Sequence, residues 1–464
     1  MPAESNYERL HAKSRAITGL TYTLFIACAV SALTPSAYAL PSYARQTGQR
    51  CAACHVGGNY PQLTPWGRFF KLAGYSAGKT FIDREGLEYS PVGIVGKAGL
   101  TWAAQPKNSQ GQTVIEHSGI PEFYDGYGEL GTKFTDWSGI YLEYGVNNTF
   151  PGWKGAEGSV DIRATHFFHP GNHELLAGFD SNNAPTLQDV WNTVPVWSYP
   201  PFYLSSPQTP SAPGRLMISN LTSAAGSVGA YALFDRHVYA EVSMYRVGND
   251  FFRFMTGGTD FEKGAPYLSG WNPYWRAYWT TEKGETSWMV GTFGMQASVY
   301  PNGASPSGPT NHFDDTGFDA QYQRLGDVHK LTLRAAYIYE QQSWNGSYRL
   351  GKSSAPKGNL KNVNISGSFA LRDTWTFTAG YLLTNGSSNA ALYSVSDPNG
   401  NHLSTKPNTS GYELEIDRTL TQNIVAYLRY TGFTKFNGLT GNIDGLGRKP
   451  SDNNTLWLAV SFAF

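Results

Sequence analysis

The chain is poor in cysteine and in charge. Its 464 residues hold 3 cysteines, and Lys, Arg, Asp and Glu together make up 15%, against roughly 25% in soluble domains. With so few cysteines a disulfide scaffold is excluded. The 35 basic residues equal the 35 acidic ones, so neither sign dominates and no basic surface argues for a nucleic-acid partner. Long apolar runs are also missing. After the first forty residues no segment approaches the ~18–20 consecutive apolar residues of a membrane helix. What the chain has instead is 51 Gly and a 14% share of aromatics, a composition of strands and turns.

The N-terminus reads as an export signal. Arg9, Lys13 and Arg15 precede an apolar stretch from Ile17 to Leu33, and Ala37-Tyr38-Ala39 has the A-x-A cleavage pattern. Residues 1–39 are therefore expected to be a signal peptide. Cys28 leaves with them, and the mature chain keeps only Cys51 and Cys54.

Those two frame Cys51-Ala-Ala-Cys54-His55. C-x-x-C-H is the attachment signature of c-type haem. The thiols form thioethers with the haem vinyl groups, and the adjacent imidazole of His55 reaches the iron as proximal ligand. A redox C-x-x-C belongs at a strand–helix turn, whereas these flanks are rich in Gly and Pro. A zinc site needs two more N or S ligands, and residues 56–116 contain neither His nor Cys. One covalent haem c is expected. Its sixth ligand has no local candidate, since 40–116 holds no Met and no other His.

From about 91 to 464 the pattern is alternation with period two. Tyr412, Leu414 and Ile416 oppose Glu413, Glu415 and Asp417; Leu456, Leu458, Val460 and Phe462 oppose Trp457 and Ser461. Sixteen such spans can be marked, from 93–102 to 454–464. The connections alternate long and short throughout, with 103–122, 181–225, 247–273 and 386–409 among the long ones. Short periplasmic turns and long extracellular loops are the outer-membrane pattern. The expected fold is all-β: a transmembrane antiparallel β-barrel of about sixteen strands, 91–464, embedded in outer-membrane lipid. Closure leaves no unpaired edge in lipid. An even strand count puts both barrel ends on the periplasmic side.

The stretches Pro41–Gly48, Cys51–His55, Pro61–Arg68 and Phe70–Tyr75 resemble the fused monohaem cytochrome–porin of the outer membrane of iron-oxidising bacteria, an Fe(II) oxidase family. Tyr43 and Trp66 stand where that family has Phe, and the terminal Phe464 is similar to the closing aromatic of outer-membrane barrels. The resemblance implies haem held by Cys51, Cys54 and His55, extracellular Fe(II) as electron donor and a periplasmic c-type cytochrome as acceptor. Tunnelling decays steeply with distance, and the apolar band of such a barrel is about 25 Å tall. Residues 40–90 are therefore expected to fold back as a plug in the lumen. Two alternatives remain open: a conduit for another donor, and a porin or transporter whose haem plug senses redox state.

Strand parity screens the sixth ligand. His169 and His237 fall on the lumen side near periplasmic turns; His117, Met255, His312 and His402 lie in or beside loops. Met244, Met289 and Met295 fall on apolar faces, read as lipid-facing. His166, His169 and His173 do not share a face, so they read as turn and interface residues rather than a metal site. Gly346–Ser353 matches the P-loop string, but Pro356 and Gly358 follow in a long loop, so no nucleotide is expected. Asp314-Asp315 and the row Glu413, Glu415, Asp417 could attract Fe(II), although ordinary porin lumens are acidic and polar too. No catalytic side chain beyond the haem is expected.

Overall fold

The computed structural model describes residues 41–58, 62–147, 156–194, 214–248, 250–256 and 265–464. The signal-peptide reading of 1–39 lies outside them.

Sixteen long strands form one antiparallel sheet closed on itself. They are β1 Val92–Ala103, β2 Pro121–Thr135, β3 Ser138–Asn147, β4 Val160–Phe168, β5 Leu175–Asn182, β6 Ala225–Phe234, β7 Val238–Val247 and β8 Asn272–Lys283. β9 Thr286–Tyr300, β10 Asn311–Leu325, β11 His329–Ser343, β12 Lys357–Leu371, β13 Trp375–Gly386, β14 Thr409–Thr421, β15 Ile424–Lys435 and β16 Thr455–Ala463 complete it. Each overlaps one of the sixteen spans marked in the sequence. Neighbours pair in chain order, and β1 closes the barrel by pairing both β2 and β16. The seam is zipped to the last residue: Ile94 and Phe464 exchange N–H···O bonds of 2.7 and 2.8 Å. Two short extensions, 156–157 on β3 and 267–268 on β9, lengthen the wall locally.

The alternation has the sense a lipid-embedded barrel requires. Along β10, Asn311, Asp315, Asp319, Gln321 and Gln323 are buried, while Phe318 is 59% exposed. On β14, Glu413, Glu415 and Asp417 point inward, and Leu414 is 54% exposed. Polar-in and apolar-out is the reverse of a soluble sandwich, and it satisfies backbone and side chains without water from the lipid side. At one end the strands are joined by tight turns. Asp235-Arg236 and Arg372-Asp373 both have positive φ at the two central positions, the mirror-image turn that matches strand twist. The other end carries the long connections. Among the described residues no helix is long and apolar enough to cross a membrane.

The structure departs from the sequence reading on the 181–225 connection. Its described parts, 183–194 and 214–224, fold into the lumen rather than outward. Asp189 meets Arg276 of β8 at 3.1 Å, and Arg276 also pairs with Asp319 of β10. Ile218 N–H donates to Asp315 at 2.8 Å, and Met217 N–H donates to Glu340. Leu216, Met217, Ile218 and Leu221 bring an apolar core into the barrel, packed against Phe293, Met295 and Ile338. That corrects the reading of Met289 and Met295. Both are fully buried on the inner face, because this part of the lumen is filled by protein and not by water. Met244 stays on the outer face of β7. The Asp314-Asp315 pair is split by alternation: Asp314 faces out and Asp315 in.

Candidate functional site

The described residues of 41–80 occupy the short-turn end of the lumen. They form three short helices: α1 Ser42–Thr47, α2 Cys51–Cys54 and α3 Pro65–Leu72. Gly48 ends α1 in the left-handed conformation, φ 68°, with its N–H on Ala44 O at 2.9 Å. α2 is one turn, closed by His55 N–H on Cys51 O at 2.8 Å. Positions i and i+3 of a helical turn share a face, so Cys51 and Cys54 are presented together, and His55 follows at once as the extended C-cap residue, φ −117° and ψ 133°.

The next segment clamps that turn. Val56 N–H donates to Gln62 O at 2.9 Å and Thr64 N–H to Cys54 O at 2.9 Å. Thr64 Oγ1 donates to Ala53 O at 2.5 Å while accepting from Gly67 N–H at 3.2 Å, so one threonine caps α3 and ties it to α2. The two helices touch backbone to backbone at Gly67. A Cβ there would lie 3.0 Å from the Cys54 carbonyl carbon and 3.1 Å from its Cα, and nearer still to the carbonyl oxygen.

The segment is then fixed to the barrel wall on nearly every side. Ser42 Oγ donates to Glu129 at 2.6 Å and Tyr43 O–H to Ile140 O at 2.6 Å. Gln62 donates to Ser368 at 2.7 Å, and Cys51 Sγ lies 3.4 Å from Gln422 O in the β14–β15 turn. Arg68 is buried; it donates to Leu63 O at 2.9 Å and Gln323 at 2.7 Å, pairs with Glu282 at 3.1 Å and lies 3.6 Å over the Trp191 ring. Lys71 donates to Leu187 O at 2.6 Å and pairs with Asp161 at 3.2 Å, and Tyr75 O–H donates to the same carboxylate at 2.7 Å. Leu187 and Trp191 belong to the inward-folded connection, which therefore covers the inner side of α3.

The donor set suits a covalently attached haem. Both thiols are free of disulfide. Burial pushes the Cys54 thiol up to about 11 and the Cys51 thiol upward too. Burial lowers His55 to about 4, which leaves its ring neutral and able to ligate iron at neutral pH. Among the described residues no three His, Cys, Asp or Glu side chains gather as a bare metal ion would require.

The sixth-ligand candidates scatter. His169 and His237 sit at the short-turn end with α2; both are exposed, and His237 Nδ1 lies 2.8 Å from Thr280 O. His117, His312 and His402 are exposed at the long-loop end, beside Glu122, Ser298 and Ser394. Met255 is buried there against Val160 and Phe252. At about 3.3 Å per residue and a ~40° tilt, those four stand on the order of 20–30 Å from the other end. His166 faces out beside Phe168, and His173 pairs with Asp235 at 2.6 Å in the β5–β6 region. Gly346–Ser353 forms one helical turn and a bend in a long connection. The row Glu413, Glu415, Asp417 lines the lumen, with Arg429 paired to the first two. Thr64, Gly67, Arg68 and Lys71 were not singled out in the sequence as site residues. The Thr-Pro start of α3 was the available signal.

No protein-family model matches the chain, and no curated protein matches it. Its strand arrangement is similar to solved outer-membrane proteins at low identity. OmpT of Vibrio cholerae is 9% identical over 80% of this chain and 97% of its own, with a TM-score of 0.39. OprB of Pseudomonas putida is 10% identical over 80% and 93%, with a TM-score of 0.44. The channel DcaP of Acinetobacter baumannii is 12% identical over 83% and 99%, with a TM-score of 0.42. At such scores the likeness adds nothing to the strand pairing, on which the barrel stands.

Proposed function

We propose that this outer-membrane barrel is a cytochrome–porin that oxidises extracellular Fe(II) at one haem c and passes the electron to a periplasmic c-type cytochrome. The observation that carries the reading is the placing of Cys51 and Cys54 on one clamped helical turn, with His55 immediately after it, inside the mouth of a closed barrel. Haem supplies a one-electron centre when bound there. The chain supplies the rest. Cys51 and Cys54 would fix the group covalently, which suits a compartment where lost haem is not replaced. His55 would ligate the iron through its neutral ring. The hydrogen bonds of Thr64, Arg68 and Lys71 hold the turn in one place, so the distance an electron must cross is fixed.

In this reading the short-turn end and both barrel termini face the periplasm, which sets the attachment turn beside a soluble acceptor. Fe(II) approaches from the far side, and because tunnelling decays steeply over the ~20–30 Å between the two ends it has to come down the bore toward the turn; its insoluble ferric product forms on that outer side. The plug and the described parts of the inward connection narrow the bore, which favours electron transfer over free solute passage. No acid–base pair is required, since outer-sphere oxidation depends on proximity and potential.

The test is an anaerobic titration of the purified protein with Fe(II). The reading expects the ferrous c-type absorption bands to appear in proportion to iron added. A spectrum unmoved by Fe(II) but moved by reduced copper or a small organic reductant would assign a different donor. Solute flux that changes with haem redox state, without Fe(II) oxidation, would assign a redox-gated porin.

A further inference from the structure

Between α3 and β1 the chain makes a small hairpin. Ile82 and Leu87 face each other as an antiparallel pair. Glu88 N–H donates to Phe81 O at 2.9 Å and Asp83 N–H to Gly86 O at 3.0 Å. The Asp83 carboxylate accepts from Glu85 N–H at 2.7 Å and Gly86 N–H at 3.1 Å, which fixes the turn. This ordered hairpin exposes its two aliphatic side chains, Ile82 at 55% and Leu87 at 69%. An isolated two-stranded hairpin is marginal in water, and this one leaves its Ile82–Leu87 pair exposed.

Its height in the barrel can be read from its root. Lys79 N–H donates to Gln46 O at 2.9 Å, and Gln46 Oε1 accepts from Lys133 N–H at 3.0 Å. Tyr89 O–H lies 2.9 Å from Thr132 Oγ1. The hairpin therefore leaves the wall level with Thr132 and Lys133 of β2. At that level the seam has a notch. β1 begins at Val92, paired with Leu130, whereas β2 runs on to Thr135. The next outward residues of β2 and its turn are Phe134, 52% exposed, and Trp137, 55% exposed. Aromatics at a barrel rim mark the membrane interface. The hairpin thus springs from the wall beside that stretch of β2, at a root level close to its exposed rim aromatics.

We propose that Ile82 and Leu87 insert into the lipid leaflet at the short-turn end, so that a lipid surface closes the notch and anchors the segment carrying Cys51, Cys54 and His55. A protein partner is the weaker occupant, because the pair's root is level with the part of β2 that turns Phe134 and Trp137 outward. Lys79 and Arg84 flank the pair together with Asp83, Glu85 and Glu88, and Lys79 pairs with Glu88 at 3.5 Å, so attraction to lipid phosphates adds nothing and the apolar pair carries the insertion. The inference rests on the barrel and not on the haem reading, so the two fail separately.

The test uses the full chain in lipid nanodiscs. Ile82→Cys, Leu87→Cys and Glu85→Cys are each labelled with an environment-sensitive maleimide fluorophore. The unsubstituted chain is labelled in parallel to subtract Cys51 and Cys54. Labels at 82 and 87 are expected to lose most of their emission in lipids brominated near the headgroup and to resist aqueous iodide. The label at 85, on the turn, is expected to do the reverse. Equal iodide quenching at all three sites would overturn the proposal, as would shielding of 82 and 87 only on adding a soluble c-type cytochrome. Ile82→Asp combined with Leu87→Asp is expected to speed protease cleavage within 76–90 in nanodiscs but not in detergent. Equal cleavage in both would also overturn it.

Discussion

Replacing Gly67 by Ala tests whether α3 packs on the attachment turn as described. In an ordinary helix interior Gly→Ala stabilises by roughly 0.5–1 kcal/mol, because Ala restricts the unfolded chain. At 67 the new methyl would sit 3.0 and 3.1 Å from two backbone carbons of Cys54, against a comfortable ~3.5–4.0 Å. The obstacle is backbone, already held by Thr64 N–H and His55 N–H, so it has little freedom to yield. Overpacking of this kind costs about 1–3 kcal/mol, which outweighs the helix gain. The expected outcome is that α3 parts from α2 more often, while the barrel is untouched. Hydrogen exchange of the Phe70–Tyr75 amides reads that local opening, and 1–3 kcal/mol corresponds to roughly 5–150-fold faster exchange. Haem attachment should fall in the same variant. Exchange that is unchanged or slower, with normal attachment, would refute the packing argument.

The remaining expectations follow from the same geometry. Cys51→Ser and Cys54→Ser should each leave at most one thioether, seen as acid-labile haem in place of a stable haem–protein mass, and the double variant should carry none. Arg68→Met should loosen the plug by about 2–3 kcal/mol, read as earlier protease access to 41–90 on urea titration; most of that comes from the two buried neutral acceptors, because Glu282 is 46% exposed and screened. Phe318→Arg, at the middle of the outer face of β10, should cost about 2–4 kcal/mol of barrel stability in bilayer unfolding, whereas a soluble-sandwich reading would expect almost none. Asp235, held below the usual carboxylate range by Glu174 N–H and His173, should stabilise its turn above about pH 3.9. That contribution disappears as pH falls through its lowered value, so wild type and Asp235→Asn should differ in unfolding at pH 6 and converge in strong acid.

The barrel was legible because its signals are local. Alternation in 411–418 and 456–464, and tight turns such as Asp235-Arg236, reside in the sequence where they act. So does the spacing of Cys51, Cys54 and His55. What was not legible depends on where distant parts meet. The 181–225 connection has a loop composition, and nothing local says that a loop turns into the bore. Val190, Trp191, Leu216, Met217 and Ile218 are a hint in retrospect, since so much apolar surface seldom stays in water. Once that connection fills the lumen, an apolar face of β9 can point inward, and the parity rule that sent Met289 and Met295 to lipid loses its premise. The grip on α2 was hidden for a similar reason. Arg68 finds Gln323 and Glu282 only after closure brings β8 and β10 beside α3.

Passage of an electron from one side of the barrel to the other is read across a sealed membrane. Haem-loaded protein is reconstituted into proteoliposomes holding an oxidised c-type cytochrome, with Fe(II) added anaerobically outside as a membrane-impermeant chelate. The account predicts that the trapped cytochrome is reduced, one equivalent per Fe(II) oxidised, and that the Cys51→Ser/Cys54→Ser chain leaves it oxidised. A trapped cytochrome that stays oxidised while external Fe(II) is consumed, or one reduced equally well through the double variant, would contradict it.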